Sequence, residues 1–217
     1  MDMCNKYYIR KIKSNCLISA ELWDETPFMA IDCYPWNIND YKPVSFAKML
    51  YSDTHIHVLM TAFENQIKAE FEKTNDPVYK DSCLELFLNP CPEMGHKYIN
   101  LECNPLGTVL LGIGKNRYDR ILIHDTPQEL LAVKHSVIKA KLDDYRDTHW
   151  SVEFSISLPF LEKYLGKFHF ANGKMMRGNF YKCGDETAYP HYGCWNQVCH
   201  HTPDFHKPEY FGYLIMQ

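Results

Sequence analysis

The sequence lacks a long apolar run, an excess of basic residues and any pair of cysteines in CxxC spacing. No stretch approaches the roughly 20 apolar residues that a membrane-spanning helix needs, so we expect no membrane partner. The 23 basic residues are outnumbered by 27 acidic ones, giving a net charge of -4. This balance argues against nucleic-acid binding, which relies on clustered positive charge.

Internal repeats and linker-like tracts rich in proline, glycine or serine are also missing. We therefore expect residues 1–217 to form a single domain. The nine cysteines are an odd number and are scattered along the chain. A chain of this length does not need disulfide bonds to compensate for a small core, so we predict mostly free thiols.

The N-terminal segment carries charges where a signal peptide needs its apolar region. The chain as written is therefore expected to be cytoplasmic. An extracellular location is expected instead if the printed sequence is a trimmed form of a longer one.

Short strand-like segments dominate the chain and are separated by Pro, Asn, Asp and Gly. The clearest segments are 55–63, 82–88, 97–104, 109–113, 131–142, 150–157, 176–183 and 211–216. One short helix is predicted over residues 159–165, because Pro159 suits a first turn and Gly166 can end it. Many strands with one short helix indicate an all-β fold, and we predict an antiparallel β-sandwich.

Polar side chains share faces on three of these strands, because successive residues of a strand point to opposite faces. The rows are Glu85 alone, Asn100 with Glu102 and Asn104, and Arg177 with Asn179 and Tyr181. For any one strand, a solvated sheet face is the simpler interpretation. Together, however, these residue types offer the donors and acceptors that sugar hydroxyls require, and nearby rings suit the apolar face of a pyranose.

Several motifs of the chain resemble those of a known family. The run DPVYKDSCLELFLNP at 76–90 resembles the signature of family 9 carbohydrate-binding modules, in which an aromatic residue shortly precedes D-S-x-x-E-x-F. The later runs YINLECNPLG, RGNFYKCGDETAYPHYGCWNQV and FHKPEYFGYLIM resemble motifs of stand-alone proteins classed with that family. The resemblance implies a DOMON-like, jelly-roll β-sandwich that binds a carbohydrate without cutting it, as an accessory to glycan breakdown.

The resemblance also implies a site in which a mono- or oligosaccharide is clamped between two rings. Tyr79 would be one ring, standing where the family has Trp, and Trp195 would be the other. Glu85 matches the acid of the signature and would accept hydrogen bonds from sugar hydroxyls. Additional contacts would come from Asn100, Glu102 and Asn104 in the floor, and from Arg177 and Asn179, which would bind the sugar or brace their strand. Some members of the family bind a structural calcium ion, although no calcium-ligand loop is recognisable here.

Three other functions stay open. A zinc site could draw on Cys183, His191, Cys194, Cys199, His200, His201 and His206, although their spacing matches no standard motif. His55 and His57 alternate on one strand and could also chelate a metal. A glycoside hydrolase would use Glu85 and Glu102 as its two carboxylates. Haem would need an axial methionine such as Met60, Met175 or Met176 together with a histidine.

Overall fold

The computed structural model describes residues 4–13, 18–36, 39–124, 131–138 and 148–217. Thirteen strands form within these ranges. They are β1 Lys6–Lys11, β2 Met29–Ala30, β3 Ser45–Tyr51, β4 His55–Phe63, β5 Cys83–Asn89, β6 Tyr98–Cys103, β7 Val109–Gly114, β8 Arg120–Leu122, β9 Leu131–Ile138, β10 His149–Ser157, β11 Met175–Cys183, β12 Tyr192–Cys194 and β13 Gly212–Met216. The α-helices are α1 Ala20–Asp24 and α2 Leu158–Leu165, and single 3₁₀ turns lie at Val78–Lys80, Pro92–Met94 and Pro208–Tyr210.

The strands form one curled sheet in the order β8-β7-β6-β5-β11-β13-β1-β3-β4-β10-β9, with β12 beside β11 and β2 beside β3. Strand β1 runs parallel to β13 along its first part and parallel to β3 at its end. The other pairings among the described strands are antiparallel. The β-rich prediction is therefore confirmed, but the sheet is mixed, so the prediction of a purely antiparallel one is wrong.

Strand β1 joins two parts of the sheet, which pack around a main hydrophobic core. We call β5–β8 with β11–β13 the first half-sheet, and β2–β4 with β9 and β10 the second half-sheet. Leu84, Leu86 and Leu88 of the first half-sheet belong to this core, and so do Val58 and Met60 of the second. In each strand these are alternate residues, as the two-residue period requires.

The predicted helix is confirmed as α2. The Ser157 hydroxyl accepts a hydrogen bond from Phe160 N at the N-terminus, and Gly166, with φ 97°, ends the helix. The short helix α1 was not predicted, so the count of one helix is wrong. A five-residue helix is too short to show a helical period in the sequence. None of the described helices has the length and apolar character needed to cross a membrane.

The predicted strand segments all coincide with strands, and the segment 55–63 matches β4 at both ends. The end of the predicted 131–142 strand, at 139–142, lies outside the described residues. Strands β1, β2, β3, β8 and β12 lie outside these predicted segments. The eight cysteines in the described ranges carry free thiols, and Cys16 lies outside those ranges.

The first half-sheet carries a second hydrophobic cluster on its outer face, the face turned away from the main core. Phe87, Tyr98 and Tyr181 of the sheet belong to this cluster, and Trp36 and Phe205 from the loops pack on them. Loops therefore cover this face. The polar row of any one strand, taken alone, favoured a face exposed to solvent. The cover leaves a pocket beside the cluster.

Candidate functional site

The pocket has a volume of about 200 Å³, and its floor is built by neighbouring strands of the first half-sheet. Glu85 of β5, Glu102 of β6 and Cys183 of β11 line the floor. Glu85 lies directly opposite Glu102 on one side and Tyr181 on the other. We call this site the Glu85 pocket.

One wall of the Glu85 pocket consists of Tyr79, Asp185 and Tyr192. Two backbone hydrogen bonds hold the turn that carries Tyr79 against the turn that follows β11. Asp185 N donates to Tyr79 O at 3.0 Å, and Glu186 N donates to Lys80 O at 3.3 Å. The rings of Tyr79 and Tyr192 are half-buried, so both keep exposed surface in this wall.

The facing wall includes Phe205 and His206, which two tyrosines of the sheet hold in place. The Tyr181 hydroxyl donates to Phe205 O at 3.1 Å, and the two rings stack with centroids 4.0 Å apart. The Tyr98 hydroxyl lies 2.7 Å from His206 Nδ1. The hydroxyl groups of these buried tyrosines thus anchor the loop that closes the pocket.

Arg120 connects this wall to the floor. Its Nη1 lies 3.3 Å from Glu102 Oε1 and 3.3 Å from His206 Nε2. Because a guanidinium only donates, His206 Nε2 accepts, and the imidazole proton resides on Nδ1 and points to Tyr98. Burial and the guanidiniums of Arg120 and Arg117 lower the pKa of His206 to about 3. His206 is therefore neutral at physiological pH.

Gly112 of β7 leaves the space in which Arg120 crosses the sheet. A Cβ at this position would lie 2.8 Å from Arg120 Cδ and 2.5 Å from Asn100 Oδ1. Asn100 is fully buried, and its Nδ2 donates to Glu102 Oε1 at 2.9 Å. Asn100 thus orients the carboxylate of Glu102 from below the pocket.

The two floor carboxyls differ in their partners. Glu102 accepts from Asn100 and Arg120, whereas the hydrogen bond described for Glu85 comes from the Cys183 thiol at 3.0 Å. Burial and the nearby charge of Glu102 raise the pKa of Glu85, and burial raises that of Glu102 against the effect of Arg120. Because adjacent anions repel in a buried site, the pair retains a proton to higher pH than a free carboxyl does.

Asp185 gives a stability prediction that depends on pH. Burial raises its pKa to about 6 from 3.8, although a hydrogen bond from Tyr192 opposes the shift. The folded state therefore binds more protons than the unfolded state between these values, and stability falls as the pH rises through them. We expect Asp185→Asn to raise the melting temperature at pH 7 and to have little effect near pH 4, as measured by circular dichroism.

Asp204, in the facing wall, is the matched control. Burial acts to raise its pKa, but the His206 backbone N–H and Arg117 outweigh burial and lower it. The folded state therefore favours ionised Asp204, so Asp204→Asn should lower the melting temperature at pH 7. A lower melting temperature for Asp185→Asn at pH 7 would contradict the first prediction.

Of the residues that the sequence nominated, Tyr79, Glu85 and Glu102 line the Glu85 pocket. Asn100 lies beneath it. Asn104 uses its whole amide within the fold. Its Nδ2 donates to Phe71 O and Asp81 Oδ2 at 2.8 and 3.0 Å, and its Oδ1 accepts from the backbone N–H groups of Leu106 and Thr108.

Arg177 and Asn179 form hydrogen bonds to segments that follow their strand. Arg177 Nε donates to Phe211 O at 2.7 Å, and its guanidinium lies 4.7 Å from the centre of the Tyr213 ring. Asn179 donates from Nδ2 to Asn196 O and accepts at Oδ1 from Asn196 N, both at 2.8 Å. Neither side chain lines the Glu85 pocket.

Trp195 belongs to the main core, on the opposite side of the sheet from the pocket. Its ring meets that of Phe180 edge-on at 6.2 Å and lies so close to Gly212 that a Cβ there would be 2.5 Å from Trp195 Cζ3. The structure does not bring this ring to Tyr79. Tyr192, three residues earlier, lines the pocket instead.

Seven further residues of the pocket lie outside the predicted site: most come from loops, and Arg120 and Tyr192 come from the short strands β8 and β12. These are Arg117, Arg120, Asp185, Tyr192, Pro203, Asp204 and Phe205. Asp185 and Tyr192 lie within the aromatic, polar run 177–198 that the sequence nominated as a wall, so a signal for them was present. His206 was considered only as a metal ligand. Arg117 lies in the turn between β7 and β8, Arg120 begins β8, and neither position carries a motif.

The residues considered for a zinc site are spread over different surroundings. Cys183 lies in the pocket floor and His206 in its wall. His191 Nε2 accepts from Lys182 Nζ at 2.9 Å, and Cys194 pairs with Cys33 across an isolated β-bridge. In the described part of the chain, one group of three brings potential ligand atoms within 4.8 Å of one another: Cys183 with Cys83 and Glu85, which were not in the predicted zinc set.

The histidines of β4 and the methionines considered as haem ligands lie elsewhere in the structure. The rings of His55 and His57 stack 5.8 Å apart, and His57 Nδ1 lies 2.7 Å from Ser155 Oγ. Met60 and Met176 are buried in the main core, whereas Met175 is 47% exposed.

Residues 18–216 match Carbohydrate-binding family 9, and the chain therefore belongs to this family. No curated protein matches it in sequence. Among solved structures it is similar to a protein from Bacteroides uniformis to which carbohydrate binding is ascribed. The TM-score is 0.82 and the identity 24%, over 99% of this chain and 100% of the other.

Two further similar structures are of a family 9 carbohydrate-binding module from Caldicellulosiruptor kristjanssonii, in complex with glucose and with cellotriose. Both have a TM-score of 0.65 and 12% identity over 98% of this chain, and the match covers 96% and 94% of the respective chains. At these identities the likeness shows a shared fold.

Proposed function

We propose that the chain binds a neutral mono- or oligosaccharide in the Glu85 pocket without catalysing a reaction, as an accessory to glycan breakdown. One observation carries the proposal: Tyr79 and Glu85, both in the motif that resembles the family signature, line the same pocket of a chain that belongs to the family. The glucose and cellotriose complexes of similarly folded modules support a carbohydrate as the ligand.

The chemistry of the pocket suits hydroxyl groups. A hydroxyl that loses water on binding needs a new partner, and Glu85 and Asp185 offer carboxyl oxygens at the floor and wall. Arg117 is paired with Asp204 at 3.1 Å, and Arg120 is paired with Glu102 at 3.3 Å. Because both guanidiniums already have carboxylate partners, the pocket favours a neutral sugar over an anionic one.

The arrangement of the carboxyls favours binding over hydrolysis. Glycoside hydrolases place their two carboxyls on either side of the scissile bond. Glu85 and Glu102 extend side by side from adjacent strands on one sheet face. A sugar resting on this floor would meet both carboxyls from the same side.

The rings in the wall give the sharpest test of the sugar site. Tyr79→Ala and Tyr192→Ala should each lower sugar affinity by about ten- to a hundredfold, because each removes about 1–3 kcal/mol of ring contact. Isothermal titration calorimetry would measure the change, using the best ligand from an array of neutral glycans that includes glucose and cello-oligosaccharides.

Tyr8→Ala is the matched control, since Tyr8 is a 51% exposed tyrosine on β1, outside the pocket. It should leave affinity unchanged. The proposal fails if no neutral glycan binds to the folded protein, or if the Tyr79→Ala, Tyr192→Ala double variant folds and binds like the wild type.

A further inference from the structure

We propose that Cys83, Glu85 and Cys183 form a binding site for a divalent cation of the zinc class at the floor of the Glu85 pocket. Their ligand atoms lie within 4.8 Å of one another. Of the three, Cys183 alone belongs to the histidine-rich set that the sequence suggested, and the two thiols differ from the oxygen ligands that calcium prefers.

The register of the sheet brings the three side chains together. Cys83 lies directly opposite Cys183 in the β5–β11 pair, and Glu85 is two residues along β5, on the same face. The Cys183 thiol donates to Glu85 Oε1 at 3.0 Å. Zinc binds thiolate at about 2.3 Å and carboxylate at about 2.0–2.2 Å, so small side-chain rotations bring all three atoms to one ion.

A comparison of two buried glutamates indicates what Glu85 lacks. Glu64 is 1% exposed and accepts from Lys182 Nζ at 2.8 Å, Trp150 Nε1 at 2.9 Å and Ser82 Oγ at 2.7 Å. Glu85 is 2% exposed, and the donor described for it is a thiol. A buried carboxylate needs either a proton or a cation, and a divalent ion that displaced the proton of Glu85 would do what the Lys182 ammonium does at Glu64.

The pocket supplies an entry path and a free coordination position. Glu85 and Cys183 both line it, so an ion can reach them from solvent. Three protein ligands with one open position is the arrangement of zinc sites that bind water or a small molecule. Two thiolates select zinc or cadmium over magnesium and calcium.

The cation and a sugar would share Glu85. Zinc should therefore weaken sugar binding, an expectation that rests on the proposed function, whereas cation binding itself does not. Uptake of the ion by a protein that binds no glycan would refute the sugar site alone. Glycan binding without uptake of the ion would refute the cation site alone.

Cadmium provides a direct probe of the site. Titration of Cd²⁺ into the reduced, chelator-treated full chain should give thiolate-to-metal charge-transfer absorption that saturates at one ion per chain. Zn²⁺ should displace the cadmium, and Ca²⁺ should not. The affinity should rise by about tenfold per pH unit for each thiol proton released.

The variants locate the ligands. Cys83→Ser and Cys183→Ser should each weaken cadmium binding by about a hundredfold or more, and Glu85→Gln should weaken it by about tenfold. Cys33→Ser is the matched control, because it breaks a cysteine pair outside the pocket, Cys33 with Cys194, and should leave the affinity unchanged.

X-ray absorption of the zinc-loaded wild-type protein tests the site even if a variant does not fold. We expect two sulfur ligands at about 2.3 Å. A shell of nitrogen and oxygen alone, no uptake by the wild type, or loss of binding in Cys33→Ser would overturn the proposal.

Discussion

Replacing Lys182 with alanine should destabilise the protein by about 3–5 kcal/mol, because the change leaves a buried carboxylate without its cation. Lys182 is fully buried, and its Nζ lies 2.8 Å from Glu64 Oε1. The same ammonium donates to Cys183 O at 2.8 Å and His191 Nε2 at 2.9 Å. Urea unfolding followed by tryptophan fluorescence would measure the change in free energy.

Lys80→Ala is the matched control, since the Lys80–Glu186 pair has a similar distance, 2.8 Å, but lies at the surface. Its loss should cost no more than about 1 kcal/mol. Adding Glu64→Gln to Lys182→Ala should restore part of the lost stability, because it removes the uncompensated charge. If both substitutions lowered the free energy of unfolding by the same amount, the prediction that burial strengthens the effect at Lys182 would be wrong.

Trp195→Ala should also destabilise the protein by about 3–5 kcal/mol, and it should leave sugar affinity within about twofold of the wild type. The reason is that the ring is 7% exposed and fills the main core between Phe180 and Gly212. Urea unfolding gives the stability, and calorimetry below the unfolding transition gives the affinity.

Tyr192→Ala provides the opposite pattern from the same segment. Its ring is half-buried in the pocket wall, so its loss should weaken sugar binding and change stability much less. If Trp195→Ala melted like the wild type but lost sugar binding, the tryptophan would belong to the binding site after all.

Tyr192 lines the pocket where Trp195 was predicted to do so, and this difference shows what strand alternation can and cannot predict. Successive strand residues face opposite sides. Tyr192 and Cys194 of β12 therefore lie on one face, and Trp195 points to the other. The sequence therefore shows that Tyr192 and Trp195 point to opposite faces. It does not show which of the two faces the pocket, because that depends on the pairing of β12 with β11, a contact between separate segments. The family resemblance predicted that Trp195 would line the site, whereas the register of β12 against β11 places Tyr192 in the pocket wall.

The polar rows illustrate a second limit. Alternation correctly separated Glu85 and Glu102 from the core leucines of their own strands, because both lie within regular strands. It could not separate these from Asn179, whose amide is used by Asn196 from a covering loop. Arg120 of β8 and His206 of a covering loop come from segments far apart in the sequence, so no local pattern marks them. The parallel pairing of β1 with β13 and β3 also joins segments far apart in the sequence, so no local pattern predicts it.

Strand β1 also has a consequence for how the protein folds. Lys6 pairs with Tyr213, more than 200 positions away, and this pairing lies in the middle of the sheet. The junction of the two half-sheets therefore cannot close during synthesis until residues 212–216 have left the ribosome. Until then β11 and β1 each lack a neighbour, β13, and present unpaired edges. Such long-range closure is slow, so the nascent chain depends on protection of these edges more than the finished fold does.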